Sequence, residues 1–140
     1  FKDSNATLNN AAGTFLRGNF KIIEDCGTTV SPCFASAYKT LDRKKAVNLP
    51  NSGQAYCVML ASRASMCIKP LSSDSNKAEV VLDSNGAAGP NVAGRDYFKF
   101  YIYKDGYVGD RDDSASSCTS DTEGKGCLRN LIDSNWVMNY

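Results

Sequence analysis

Six cysteines and the absence of histidine constrain this sequence more than any other feature. The cysteines are spread along the chain, none of them in a C-x-x-C pair, at Cys26, Cys33, Cys57, Cys67, Cys118 and Cys127. Because the usual imidazole ligand is missing, a zinc site is not expected. Cysteines in this number and spacing are typical of disulfides in a secreted or periplasmic protein. The sequence therefore predicts an oxidising compartment.

The cysteines fall into three pairs that are close in sequence. Six cysteines permit fifteen complete pairings. Proximity and an expected hairpin favour Cys26–Cys33, Cys57–Cys67 and Cys118–Cys127. Each bond would close a loop of about ten residues and contribute roughly 2.5–3 kcal/mol by chain entropy. The pairing hypothesis therefore gives the cysteines the task of stapling loops.

Size and charge exclude several classes of protein. The chain has 140 residues and a net charge of +1, which indicates one domain without a long-range field for nucleic acid or anionic lipid. Without histidine the commonest general base is missing. The sequence also does not single out any pair of carboxylates for acid–base catalysis. We therefore expect neither an enzyme nor a required cofactor, with calcium as the one candidate ion.

An amphipathic helix is predicted near the start of the chain. Apolar residues recur every three or four positions along one stripe, among them Leu8, Ala12, Phe15, Leu16, Ile22 and Ile23. The helix is expected from about Asn5 to Asp25, with Gly27 as the left-handed residue that ends it. Gly13 and Gly18 each lower helix propensity by about 1 kcal/mol relative to alanine. Packing against another element must therefore hold this helix.

Short strands separated by turn residues are predicted after the helix. The expected strands lie at 55–60, 64–68, 79–82 and 97–103, with short elements from 107 and at 136–138. The first two flank a turn and predict a hairpin. Connections this short favour antiparallel pairing. The predicted class is α+β, in which the helix covers one face of an antiparallel sheet.

Residues 97–103 show the clearest strand alternation. Three apolar side chains share one face: Phe98, Phe100 and Ile102. Three tyrosines lie on the other face: Tyr97, Tyr101 and Tyr103. The tyrosines are predicted to form the partly exposed second face of the sheet, and a stacking platform for sugars or bases is the alternative.

Side chains with oxygen atoms alternate with glycines between residues 83 and 96. Asp83, Asn85 and Asp96 are candidate calcium ligands, because such loops aim oxygens inward while glycine relieves the backbone. The alternative is a tight turn in which Asp and Asn side chains cap backbone amides. Two formal carboxylates, no distal glutamate and the opposing charge of Arg95 favour the tight turn.

The same region resembles a known family. Residues 83–98 read D-x-N-G-x-x-G-P-N-x-x-G-R-D-x-F, and Asp105-Gly106, Gly126-Cys127 and a closing N-W-x-M-x-Y follow. With the N-terminal helix, these residues resemble the C-terminal half of bacterial type IV pilins and pseudopilins over about residues 80–140. The resemblance implies a single pilin-like domain. In it, residues 1–27 would be the C-terminal half of a long helix, and residues 28–140 would form loops and the antiparallel sheet.

The resemblance also implies a function. Such a chain is a structural subunit, major or minor, of a type IV pilus-like filament. The alternatives are a type II secretion pseudopilin, or a tip module that binds a host surface, a glycan or DNA through loops between Asp110 and Lys125. Cys118 and Cys127 would staple the C-terminal loop, and some family members bind calcium. The expected location is an extracellular pilus, preceded by an inner-membrane stage facing the periplasm.

The resemblance further assigns two tasks to the helix. A very apolar first half would anchor the precursor in the inner membrane and pack among other pilin or pseudopilin subunits. Phe1-Lys2-Asp3-Ser4 is not that half, so we expect it to be absent from this sequence. The apolar stripe would serve packing and assembly, and the present chain is expected to be monomeric.

Overall fold

The first element is a helix that is shorter than predicted. The computed structural model describes residues 5–71, 77–111 and 118–140, and helix α1 spans Asn5–Asn19. The predicted helical end is wrong, because strand β1 occupies Ile22–Gly27. There the β-branched Ile22 pairs with Leu60, and this long-range pairing outweighs the local helical periodicity.

Six antiparallel strands form the main sheet. After β1 come β4, β5, β6, β7 and β8, in that spatial order: Tyr56–Leu60, Ser65–Pro70, Lys77–Asp83, Tyr97–Tyr103 and Val108–Gly109. The predicted hairpin is confirmed as β4 and β5, and Cys57 lies directly opposite Cys67. The strands predicted at 79–82 and 97–103 are confirmed as β6 and β7. The α+β class is therefore confirmed.

Besides β1, three elements were not predicted. Strands β2, Tyr38–Lys39, and β3, Ala46–Val47, form a separate two-stranded sheet, and helix α2 spans Cys127–Asp133. The element predicted at 136–138 is not a strand, because these residues follow α2 in a turn and irregular backbone. Cys127 and Leu131 are the buried residues of α2, and their spacing of four is the helical signal that was overlooked.

One face of the sheet packs against the two helices. Ala12 and Leu16 of α1 and Leu131 of α2 form a core with inward side chains of the strands, namely Val58, Ile68, Val80, Phe98 and Phe100. The predicted Phe98 and Phe100 face is therefore confirmed. The Cys118–Cys127 disulfide lies in the same core, where it ties the start of α2 to the preceding loop.

The other face is covered by the segment between β1 and β4, which is irregular apart from the short β2–β3 sheet. Phe34, Tyr38 and Val47 pack on Cys57, Cys67, Val81 and Tyr97, which point to this side. Cys26–Cys33 fastens the covering segment, and Cys57–Cys67 links two strands beneath it. The proximity pairing of the cysteines is confirmed at all three bonds.

The tyrosine row on β7 is more buried than predicted. Tyr97, Tyr101 and Tyr103 are all buried, so a partly exposed second face was the wrong expectation. The ring of Tyr97 packs against that of Tyr38 at a tilt of 45°, with ring centroids 4.8 Å apart. The covering segment supplies this contact from about sixty residues away in sequence, which strand alternation alone does not reveal.

Candidate functional site

The candidate calcium residues lie in a turn between β6 and β7. Asp83 is buried and accepts a hydrogen bond from the backbone N–H of Asn85 at 3.1 Å. The Asp96 carboxylate accepts two, from the N–H groups of Asn91 and Val92, both at 2.7 Å. These contacts match the capping alternative, in which carboxylates satisfy backbone amides of the turn.

The Asn85 side chain also bonds within the turn, donating to the Gly89 carbonyl at 3.0 Å. Over residues 5–71, 77–111 and 118–140, no group of three or more cysteine, aspartate or glutamate residues is arranged to hold a metal ion. Instead, the carboxylate oxygens of Asp83 and Asp96 accept hydrogen bonds from backbone N–H groups of the turn.

Two glycines of the same string allow close approaches. Gly86 has φ +67°, and a Cβ there would lie 2.7 Å from the carbonyl oxygen of Arg63 in the β4–β5 turn. Gly94 has φ +82°, and a Cβ there would lie 3.0 Å from the Cys127 sulfur. Glycine is required at both positions by backbone conformation and space. These two glycines therefore allow the turn between β6 and β7 to pack closely against the β4–β5 hairpin and against the C-terminal disulfide.

Asp83 has an unusual electrostatic setting. Burial raises the pKa of Asp83 to about 6, against the opposing effect of hydrogen bonds from Tyr38 and Asn85. The Tyr38 hydroxyl donates to the Asp83 carboxylate, and burial together with this bond raises the pKa of Tyr38 well above its usual range. The pair links the covering segment to the end of β6.

The predicted packing and assembly stripe divides into two groups. Leu16 is fully buried and Ala12 nearly so, while Leu8 is half-buried and Ile22 packs at the core margin. By contrast, 46% of Phe15 and 50% of Ile23 are exposed. The structure therefore uses part of the stripe for the core and leaves two large apolar side chains in solvent.

The end of α1 is fixed to the sheet by a polar cluster. Arg17 donates hydrogen bonds to Asp25 of β1, at 3.4 Å, and to the hydroxyl of Tyr56. Tyr56 in turn donates to Asp25 at 2.9 Å. Gly13 lies against the same ring, since a Cβ on it would be 2.7 Å from Tyr56 Cε2. The glycine in the helix thus permits close packing of helix and sheet.

The C-terminal segment has its own anchors and an exposed apolar surface. The Tyr140 hydroxyl donates to the Gly94 carbonyl at 2.9 Å, and Arg95 donates to the Tyr140 backbone oxygen at 3.1 Å. Large apolar side chains that precede Tyr140 are exposed: Ile132, Trp136, Val137 and Met138. Of the predicted binding loops between Asp110 and Lys125, residues 112–117 lie outside the described residues.

A polar groove lies on the second face of the sheet, and sequence reasoning missed it. It has a volume of about 450 Å³ and is lined by Asn48, Leu49, Pro50, Asn51, Gln54, Lys69, Glu79, Lys99, Glu123 and Lys125. Lys99 lies on β7 between two of the tyrosines, and its position on the tyrosine face was the available signal. The other residues come from four separate segments, so no local pattern brings them together.

Cations and tyrosine rings are interleaved beyond the groove. The Lys77 ammonium lies 4.6 Å from the ring centroid of Tyr101. The Arg111 guanidinium lies 4.6 Å from the ring of Tyr103 and 4.4 Å from that of Tyr107. Arg111 also forms an ion pair with Asp105 at 2.9 Å. The rings are covered by cations in this arrangement, which disfavours a bare stacking platform.

Comparison with known proteins does not assign the chain to a family. No family model, no curated protein and no solved structure matches it. Within the described residues, no helix has both the length and the apolar character needed to cross a membrane. The three disulfides indicate an oxidising environment, extracellular or periplasmic.

Proposed function

We propose that this chain is the head domain of a structural subunit of a type IV pilus-like filament. The support comes from its element order, with one N-terminal helix on an antiparallel sheet and a disulfide in the C-terminal segment. The D-x-N-G to R-D string adds the resemblance described above. A type II secretion pseudopilin is a filament subunit of the same design and shares these features.

The observation that carries the proposal is that the apolar residues of α1 and β1 divide into a buried group and an exposed group. Leu16 is used entirely for the core, whereas Phe15, Phe20 and Ile23 expose apolar surface around the junction of α1 and β1. Phe15 and Phe20 stack edge to face, with centroids 6.3 Å apart. Exposed apolar side chains grouped at one place mark interaction surfaces, and subunit packing in a filament would bury them.

Filament membership requires an anchor for the precursor. We propose that an apolar helical segment of about twenty residues precedes α1 in the complete subunit and spans the inner membrane. The complete reading frame tests this directly. A reading frame that instead encodes a cleavable secretion leader joined to Phe1 would contradict the proposal.

Isolation of surface filaments gives the second test. Filaments sheared from the source cells are expected to contain this chain, detected by mass spectrometry. If deletion of the gene abolishes protein secretion and leaves the surface filaments intact, the chain belongs to a pseudopilus. Recovery of the chain only as a free protein in the medium would count against any filament role.

A matched pair of variants tests the exposed apolar residues. Ile23→Thr removes apolar surface next to α1, and Val108→Thr removes a similarly exposed β-branched side chain, 52% exposed, on β8. Both keep β propensity, so both heads should melt as the parent does. We expect the first variant alone to lower incorporation into filaments, and equal incorporation would argue against this surface. The isolated head is expected to remain monomeric.

A further inference from the structure

The polar groove has a strand floor and two loop walls. Lys69, Glu79 and Lys99 come from β5, β6 and β7, which are adjacent in the sheet. Residues 48–51 with Gln54 form one wall, and residues near 123–125 form the other. Its volume of about 450 Å³ lies within the range of about 300–1,000 Å³ usual for small-molecule sites.

Three ammonium groups and two carboxylates face this groove. Lys99 is the most buried of them, with 11% of its side chain exposed, and its ammonium lies 3.9 Å from Glu123 Oε2. That separation exceeds hydrogen-bonding distance, so among the described residues the Lys99 ammonium keeps donors available. Glu123 is thus an ion-pair partner of Lys99 that makes no hydrogen bond to its ammonium, and an incoming anion can accept one there.

The remaining lining narrows the chemistry of the ligand. Three side-chain amides border the groove, from Asn48, Asn51 and Gln54. Gln54 is held in place, since its side-chain oxygen accepts the Asn51 backbone N–H at 3.1 Å. Amides and carboxylates together accept and donate hydrogen bonds to hydroxyl groups. Such a lining fits a ligand with many hydroxyls and one negative charge.

A polyphosphate fits the groove poorly. Glu79 and Glu123 would repel successive phosphates, and the chain has a net charge of only +1. A carboxylated sugar brings a single negative charge that the lysines can receive, and its hydroxyls can bond to the carboxylates and amides. The balance of charges therefore favours an acidic sugar over a nucleic acid.

We propose that this groove binds a carboxylated sugar residue, with the sugar carboxylate received by Lys99 and Lys69. Glu79, Glu123 and the three amides would bind its hydroxyls. The inference rests on the groove alone and does not depend on filament assembly. Its test uses the 140-residue chain in solution, so failure here would leave the filament proposal standing.

The experiment is a titration of the isotope-labelled chain, followed by amide chemical shifts and calorimetry. Digalacturonate and sialyllactose represent the two sources of a carboxylated sugar, and lactose is the uncharged control. We expect shifts at Lys69, Glu79, Lys99 and Gln54 with at least one acidic sugar and none with lactose. Absence of binding by both acidic sugars would overturn the proposal.

Charge-neutralising variants identify the site. Lys99→Gln and Lys69→Gln are each expected to weaken binding about tenfold or more, as loss of a charged hydrogen bond does. Lys21→Gln makes the same change in net charge on an exposed residue outside the groove, and it should bind as the parent does. Because Lys99 is buried, Lys69→Gln near the strand end keeps the test valid if Lys99→Gln fails to fold. Equal affinities for Lys69→Gln and Lys21→Gln would overturn the proposal.

Glu79→Gln separates an acidic sugar from nucleic acid. The variant removes a charged carboxylate that accepts hydrogen bonds from sugar hydroxyls. Sugar binding should therefore weaken, although the groove becomes more positive. Binding of a single-stranded oligonucleotide that strengthens in this variant, without binding of the acidic sugars, would overturn the proposal in favour of nucleic acid.

Discussion

The two faces of the sheet are buried by different means. On one face, α1 and α2 pack their apolar side chains on Val58, Val80 and Phe100. On the other face, an irregular segment is held by Cys26–Cys33 and by polar contacts under it. There the Ser65 hydroxyl donates to the Cys33 carbonyl, and the Tyr38 hydroxyl accepts the Ala35 N–H at 3.2 Å.

The difference follows from where backbone hydrogen bonds are made. A helix satisfies most of its own N–H and C=O groups, so its partner needs only apolar side chains. Irregular chain does not, and its buried amides and carbonyls must find side-chain partners. The second face therefore combines apolar packing with hydroxyls, a buried carboxylate and covalent cross-links.

The largest expected effect is on the helix face. Leu16→Ala should lower the free energy of unfolding by about 3 kcal/mol, because Leu16 is fully buried and truncation leaves a cavity. Phe15→Ala, the neighbouring residue with an exposed ring, should cost less than about 1 kcal/mol. Urea unfolding of both variants measures the contrast. Equal losses of unfolding free energy in the two variants would mean that Leu16 contributes no more to the core than the exposed Phe15 does.

The next effect is on the loop face. Replacing both Cys26 and Cys33 by alanine should cost about 2.5 kcal/mol, since the bond closes a loop of about eight residues. Amide hydrogen exchange should accelerate in residues 28–55 and stay slow in α1. Uniform acceleration in both regions would show that the two faces unfold as one unit.

A pH dependence should come from the loop face as well. The folded pKa of Asp83, about 6, lies above its ordinary value of 3.8, so the folded state binds the proton more tightly than the unfolded state. Stability should therefore fall by about 2 kcal/mol as the pH rises from about 4.5 to 6.5.

The control for this pH effect is Asp83→Asn. Tyr38 and Asn85 bond to different carboxylate oxygens of Asp83, so the asparagine keeps one of the two acceptors. It cannot titrate, so the decrease in its unfolding free energy with rising pH should disappear. Thermal melts at several pH values compare the two chains. A parent whose stability rises with pH across the same range would contradict the assignment to Asp83.

The smallest effect tests the contact between α1 and the sheet. Gly18→Ala should stabilise by up to about 1 kcal/mol, because nothing lies within 4 Å of the added Cβ and alanine favours helix. Gly13→Ala makes the same change in propensity, yet its Cβ would meet the Tyr56 ring. Displacing that ring disturbs its bonds to Arg17 and Asp25, so a net loss of about 1 kcal/mol is expected. Equal stabilisation by both variants would contradict close packing at Gly13.

The sequence predicted those features that depend on neighbouring residues. Strand β7 was identified from alternation within seven residues, and the β4–β5 hairpin from two runs around one turn. Each disulfide joins cysteines no more than ten positions apart, so proximity was a sufficient guide. The capping role of Asp83 and Asp96 was one of two readings that local turn chemistry allowed.

Two of the incorrect predictions involve distant partners. The helix was extended over Ile22 because its three- and four-residue spacing continues there, but pairing with Leu60 decides the backbone. Tyr97 was expected at a partly exposed face because nothing near it in sequence shows that Tyr38 covers it. The filament role remains a prediction that the experiments above address, and the calcium site remains a prediction.

The sequence alone determined an α+β chain with local cross-links, since period, turn residues and short loops act over a few residues. Tertiary structure decided where α1 ends, which chain segment covers the second face, and that Lys69, Glu79 and Lys99 share a groove. The physical reason is that burial free energy is gained from surfaces brought together by the whole fold, whereas propensities are properties of single segments.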